Sequence, residues 1–451
     1  MPTEVDVVVV GLGPGGESVA TELAKAGLEV VGVDKHLVGG ECPYYGCIPS
    51  KMMVRGAGAL AEARRVGELA GASTVMPDWA PVATRIADEA TDNWDDKVAV
   101  DRLVDNGVTF IRGHGRLTGP RTVEVAGQEF RARQGVVLNT GTEPAVPPVS
   151  GLAETPYWTN RDAVQVTDLP GSLIVIGGGA IGAELSQAFA RFGVDVTLLE
   201  VADRLLAPEE PEASKIVTEA FGREGIQVLT GVTISAVAYD EGRFAVTLGE
   251  QVLTADKLLV ATGRRVNLVA IGLDTVGLDP SAKTLDTDDH LRVADGLWAL
   301  GDITGKGAFT HISMYQAAIV VRDILDRDGP WADYRAVPRV TFTDPEVGSV
   351  GLSERQAREA GLVVRVGNAP LPSSARGWIH KVGNEGFVKL IEDADKGVLV
   401  GATSVGPCGG EVLSALSVAV HGEVSTDTLR SMIYAYPTFH RTIEDALADL
   451  S

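Results

Sequence analysis

The chain of 451 residues is 45% hydrophobic and 22% charged, enough for several cores, and its length gives a prior of about three domains. Acidic residues outnumber basic ones by 61 to 39, a net charge of −22, which excludes nucleic acid and anionic membrane surfaces as expected partners. Its apolar runs are strand-length, short of the roughly 20 residues of a membrane helix, and 3 cysteines cannot frame a secreted disulfide-rich protein. An apolar strand at once, with no basic leader before it, reads as a cytoplasmic protein without a signal peptide.

Residues 5–34, VDVVVVGLGPGGESVATELAKAGLEVVGVD, predict a strand, a turn with Gly11, Gly13 and Gly16, a helix, and a second strand ending in Asp34. GGECPYYGCIPSK follows, carrying Cys42 and Cys47, and apolar periodicity predicts helices over 51–70 and 83–105. NTGTEPAVPPVSG (139–151), rich in Pro and Gly, reads as a crossing linker after a strand. Residues 172–200, SLIVIGGGAIGAELSQAFARFGVDVTLLE, then repeat the first plan with Gly177, Gly179, Gly182 and Glu200. LLVATGRR (258–265) ends that unit at a turn containing Gly263. DGLWALGD (295–302) gives a strand, Gly301 and Asp302, the acid opening a helix over about 308–325. From about Val337, alternating strands followed by helices predict a separate α+β domain.

In both copies the acid falls 23 residues after the first glycine. Gly11 and Gly177 permit a sharp turn, Gly13 and Gly179 let backbone approach a pyrophosphate, and Gly16 and Gly182 let helix pack on strand. A pyrophosphate then sits at the positive helix N-terminus, and the acid accepts from a ribose hydroxyl. Two complete copies predict two dinucleotide sites.

The spacing of Cys42 and Cys47 does not suit zinc, because no second Cys or His pair lies at ligand distance in the sequence. Five residues of regular helix span about 7.5 Å, too far for a disulfide, so a bridge needs the distorted turn that Pro43 and Gly46 can make. Such a strained bridge suits exchange more than bracing. Two buried free thiols are the other reading. Cys408 has no partner nearby in the sequence and reads as structural.

Together, both glycine motifs, C-x4-C followed by IPSK, the ATG turn, the Gly-Asp pair, FTDPEVGSVG and YPTF resemble the class I pyridine nucleotide–disulfide oxidoreductases, the flavoproteins that include dihydrolipoamide dehydrogenase and mercuric reductase. The resemblance implies an α/β fold with two Rossmann-like dinucleotide-binding domains and a C-terminal α+β dimerisation domain. It places an FAD domain over 1–147 and 271–335, an NAD(P) domain over 148–270 and an interface domain over 336–451, making a homodimer. FAD would lie on the first motif with Asp34 on its ribose, Asp302 on the ribityl chain, Thr140 and Gly141 at a turn against it, and the backbone near His114 and Gly115 beside the adenine. NAD(H) would lie on the second motif. Glu200 favours it over NADP(H), because a carboxylate accepts from a 2′-hydroxyl and repels a 2′-phosphate. Cys47 would face the flavin, Cys42 would meet a small-molecule disulfide or dithiol, and Lys51 with Glu184 would form an ion pair near the flavin.

The sequence also departs from that family. Where the disulfide reductases have His-Pro-Thr with a Glu five residues on, this chain has Tyr436-Pro437-Thr438 and Arg441. Tyrosine, with a pKa near 10, is a poor base at neutral pH but a hydrogen-bond donor. His440, with Glu444 at i+4, is a second candidate for the missing acid/base. Glu41 replaces a Thr, and Pro43-Tyr44-Tyr45 replaces a smaller turn, which predicts two tyrosines narrowing the approach to Cys42. The expected activity is NAD(P)H- and FAD-dependent transfer of electrons to or from a disulfide. The alternative is direct reduction of quinones, metal ions or a second nicotinamide with the cysteines not essential.

Overall fold

A computed structural model describes residues 1–451, which form two compact units, each built from three stretches of chain. The first comprises Met1–Pro49, Thr84–Ala145 and Arg264–Asp333; the second comprises Ser50–Ala83, Val146–Gly263 and Tyr334–Ser451. No helix is long and apolar enough to cross a membrane.

In the first unit five parallel strands run in the order Leu297–Ala299, Gln128–Leu138, Thr3–Val10, Val30–Asp34 and Thr109–Arg112. The unbroken valine run at 7–10 fits a central parallel strand, which is buried on both faces. Val8 and Val10 pack with Val31, Val33 and Leu138 on one face. Val7 and Val9 pack with Leu12, Val19 and Leu23 on the other, beneath the helix Pro14–Lys25. The second unit repeats the plan with parallel strands Gln227–Leu229, Asp195–Leu199, Ser172–Ile176 and Lys257–Val260. It also holds a five-stranded antiparallel sheet, 338–341, 346–351, 398–406, 387–393 and 364–370, packed against the helices Gly409–His421 and Thr442–Ala448.

The three glycines of each motif differ as the sequence predicts. Gly11 and Gly177 have φ of 94° and 112°, a region that disfavours any side chain. A Cβ on Gly16 or Gly182 would stand 2.0 or 1.8 Å from the carbonyl oxygen of Gly11 or Gly177. A Cβ on Gly179 would meet nothing within 4 Å, and one on Gly13 only the Asn139 amide at 3.5 Å. The middle glycines therefore leave open space above a helix N-terminus.

Two predicted helices differ. The stretch 83–105 is not one helix: Ala80–Arg85 passes into a π-helical turn, Ile86–Ala90, and a new helix starts only at Lys97. The Thr91 hydroxyl ends it by donating to the Ile86 carbonyl at 2.9 Å. Asp302 lies in its own short turn, Gly301–Thr304, and the helix beyond begins at Thr310.

These positions separate packing from binding. Gly182→Ala should lower the thermal midpoint by the equivalent of about 1–3 kcal/mol of overpacking, whereas Gly179→Ala should unfold with the wild type; thermal unfolding of both variants is the check.

Candidate active site

The loop that carries Cys42 and Cys47 is an interrupted helix. Gly40, with φ of 69°, starts a single turn at Glu41–Tyr44; Tyr45 and Gly46 leave the helix, and a long helix restarts at Cys47. The interruption brings the side chains of Cys42 and Cys47 into hydrogen-bonding contact. That contact, with burial, pushes the Cys42 thiol well above the usual thiol range. The Thr310 hydroxyl, at the first residue of the helix Thr310–Ile324, lies 3.4 Å from Cys47 Sγ.

Glu41 meets Arg264 at 3.6 Å. Arg264 donates to the Thr142 hydroxyl at 2.6 Å, and that hydroxyl donates to Asp302 at 2.5 Å. A polar chain therefore runs from the start of the cysteine loop to the carboxylate expected on the ribityl side. Of the two expected tyrosines, Tyr44 is buried, with burial also raising its hydroxyl, and Tyr45 is half-exposed.

The two acids of the glycine motifs do the same thing in both units. Asp34 accepts from the Leu12 N–H at 2.7 Å and the His36 N–H at 2.7 Å. Glu200 accepts from the Gly178 N–H at 2.6 Å and the Ala202 N–H at 2.7 Å. A carboxylate has about four lone-pair positions, so each acid keeps capacity for a ribose hydroxyl while clamping its glycine loop. Asn139 is buried behind the first loop; with its side-chain amide oriented to satisfy both ends, it accepts from the Gly16 N–H at 2.9 Å and donates to the Leu300 carbonyl at 3.2 Å. It ties the loop to the segment bearing Gly301 and Asp302. Thr140 and Gly141, the latter with φ of 65°, follow directly, and Gly115 packs under Val10 and Val33, where a Cβ would stand 3.0 and 3.1 Å from their side chains. Gly263 turns the chain with φ of 110°. The donors, the open space over Gly13 and the free lone pairs of Asp34 fit a dinucleotide such as FAD.

In the second unit Lys51 Nζ lies 2.5 Å from Glu184 Oε2, and Glu184 Oε1 accepts from the Phe342 N–H at 2.8 Å. The ammonium also stands over the Phe342 ring at 4.7 Å. Glu184 is 4% exposed, because the helix Ala180–Arg191 that carries it is buried along most of its length.

The tail places its candidates apart from the expected dyad. Tyr436 is 71% exposed, with the Arg441 guanidinium 5.6 Å from its ring. His440 tilts against the Tyr434 ring at 6.3 Å, and Glu444 pairs with Arg441 at 2.8 Å. Sequence reasoning missed Thr310, Asn139, Thr142 and Arg264. Thr310 had no signal at all, while Asn139 and Thr142 bracket the Thr-Gly turn and Arg264 follows the ATG turn, so attention to those flanks could have found them.

Residues 5–319 match the family model of the pyridine nucleotide-disulphide oxidoreductases, and 337–447 match its dimerisation domain. The chain belongs to this family and is a flavin-dependent oxidoreductase working with FAD and a pyridine nucleotide. It is 32% identical to a mercuric reductase of Staphylococcus aureus, covering 96% of this chain and 80% of that one. It is 31% identical to a dihydrolipoyl dehydrogenase of Halobacterium salinarum, covering 98% and 96%. Among solved structures, the Cu(II) complex of the HOCl-induced flavoprotein disulfide reductase RclA from Escherichia coli superposes with a TM-score of 0.86 at 25% identity, covering 99% of each chain.

Glu184 is buried while Lys51 is half-buried, so removing the lysine leaves a buried carboxylate uncompensated. Lys51→Met should cost about 2–4 kcal/mol by stranding Glu184, and adding Glu184→Leu should recover most of it; thermal unfolding of the single and double variants measures the difference.

Proposed function

We propose that this protein is an NADH-dependent thiol–disulfide oxidoreductase of the dihydrolipoamide dehydrogenase type, with Cys42 and Cys47 as its redox couple. The observation that carries this reading is the contact of the two thiols beside the Thr310 hydroxyl. Bound FAD supplies the two-electron link between hydride from a nicotinamide and reduction of a neighbouring disulfide. The chain's residues do the rest. Asp34 holds a ribose, Gly13 and the helix N-terminus behind it take the pyrophosphate, and Asp302 with Gly301, Thr140 and Gly141 lines the ribityl side. Lys51, oriented by Glu184, supplies a cation against the charge that reduction develops.

In the disulfide-reducing direction Cys42 gives up its proton and attacks one sulfur of the substrate. A mixed disulfide forms and one substrate thiol leaves. Cys47 then attacks Cys42, restoring the bridge and releasing the second thiol. One NADH, one proton and one disulfide become NAD+ and two thiols. Because Cys42 holds its proton above the usual range, the rate in this direction rises with pH through the neutral and mildly alkaline region.

Support for NADH comes from Glu200 and from Arg204, whose guanidinium donates to the Ala207 carbonyl at 2.7 Å and is not held for a 2′-phosphate. Support for a homodimer comes from the dimerisation-domain match and from exposed apolar side chains there, including Trp378, Val418 and Ile433. In such a dimer Tyr436, the more exposed tail candidate, serves as donor to the partner's Cys42. His440 is the weaker choice, since Glu444 is engaged by Arg441.

A second reading, direct reduction of metal ions or quinones with idle cysteines, is favoured by the missing histidine dyad. One experiment separates them. Cys42→Ser and Cys47→Ser should each lower NADH-linked turnover of lipoamide by more than about 10³-fold while reduction of a quinone persists. Undiminished lipoamide turnover in Cys42→Ser would overturn the proposal.

A further inference from the structure

Three consecutive non-glycine residues, Asp92, Asn93 and Trp94, have φ of 47°, 54° and 59°. L-residues visit this left-handed region singly, if at all. The turn follows the π-helical turn Ile86–Ala90, a rare form concentrated at functional sites. It is locked from within: the Asn93 N–H donates to the Ala87 carbonyl at 2.7 Å and the Asp95 N–H to the Asp92 carbonyl at 3.1 Å. The side chains of Asp92 and Asn93 are exposed, so packing of those two residues does not explain the strain.

What the turn delivers is Trp94. Its indole N–H donates to the backbone carbonyl of Tyr44 at 3.0 Å. Tyr44 stands in the middle of the redox loop, and its carbonyl ends a single helical turn, where intrahelical donors run out. The same segment grips the loop a second time. Buried Asp96 accepts from the Val38 N–H at 2.6 Å, just before the loop begins, and is itself held by Arg112 at 2.5 Å.

We propose that the segment 92–96 is a brace for the redox loop and that Trp94 is a positioning residue for the Cys42–Cys47 couple. Its hydrogen bond fixes the Tyr44 peptide and keeps the two thiols within bonding reach, so that closing the bridge orders little additional chain. The inference rests on the redox couple proposed above. When the bridge closes, the two thiols lose two protons and two electrons as the S–S bond forms. In a test against a dithiothreitol buffer the electrons pass to oxidised dithiothreitol, whose own S–S bond opens to two thiols. A loop without its brace closes less readily, and the bridge becomes easier to reduce.

The test equilibrates the FAD-loaded enzyme with mixtures of reduced and oxidised dithiothreitol and reads the dithiol fraction by alkylation and mass. Trp94→Phe keeps an aromatic ring and removes the N–H. Loss of one hydrogen bond predicts a midpoint shifted about three- to tenfold toward the oxidising side, up to ~30 mV for a two-electron couple. Asn93→Gly, which suits a positive φ, should keep the wild-type midpoint; Asn93→Val, at an exposed position but β-branched, should shift it in the same direction as Trp94→Phe. If Trp94→Phe fails to hold FAD, the Asn93 pair carries the test. Midpoints for Trp94→Phe and Asn93→Val that overlay the wild type overturn the brace. A wild type whose Cys42 and Cys47 do not interconvert overturns the redox couple itself, a separate outcome.

Discussion

The frame rests on a carboxylate that reaches back from the end of one parallel strand to the glycine loop at the end of its neighbour. Asp34 takes the Leu12 N–H and Glu200 takes the Gly178 N–H. Hydrogen bonds to an ionised acceptor are about twice as strong as neutral ones, and here each one pins a turn that only glycine can make. The carbonyls of Gly11 and Gly177 then sit against Gly16 and Gly182, which sets how closely helix meets strand. The open helix N-terminus, the donors around it and the spare lone pairs of the acid all follow from that one constraint. The same residue clamps its loop and keeps lone pairs for the ligand role proposed above, and the chain uses the device twice.

The loop that carries Cys42 and Cys47 depends on the opposite device, a helix that is broken. An unbroken helix would hold Cys42 and Cys47 apart; the gap at Tyr45 and Gly46 brings their sulfurs together beside Thr310. A break of this kind needs outside support. Glu41 is linked through Arg264 and Thr142 to Asp302, and the Tyr44 carbonyl is held by Trp94. In the proposed function, rigid glycine-motif frames and a loop tethered from its flanks divide the labour between holding nucleotides and moving electrons.

Both dinucleotide motifs, the cysteine pair, the ion-pair partners Lys51 and Glu184, and the change to antiparallel sheet near 337 were legible in the sequence. They depend on residue types with few substitutes, at short and fixed spacing. Thr310 and Trp94 were not legible. They are ordinary residue types whose partners lie far away in the chain, 263 positions in the case of Cys47 and Thr310. The stretch 83–105 reads as one helix because its apolar period is right; the Thr91 hydroxyl, bonding back to the Ile86 and Ala87 carbonyls, outweighs that period locally. His440 and Glu444 have helical spacing, yet His440 lies in a short turn before the helix and Arg441 takes the carboxylate.

The central claim is that electrons from the nicotinamide reach Cys42 and Cys47. The most direct measurement is an anaerobic titration of the purified protein with NADH, followed at long wavelength. The account predicts a thiolate-to-flavin charge-transfer band that is complete at two electrons per subunit. Simple bleaching of the flavin, with no such band, would contradict it.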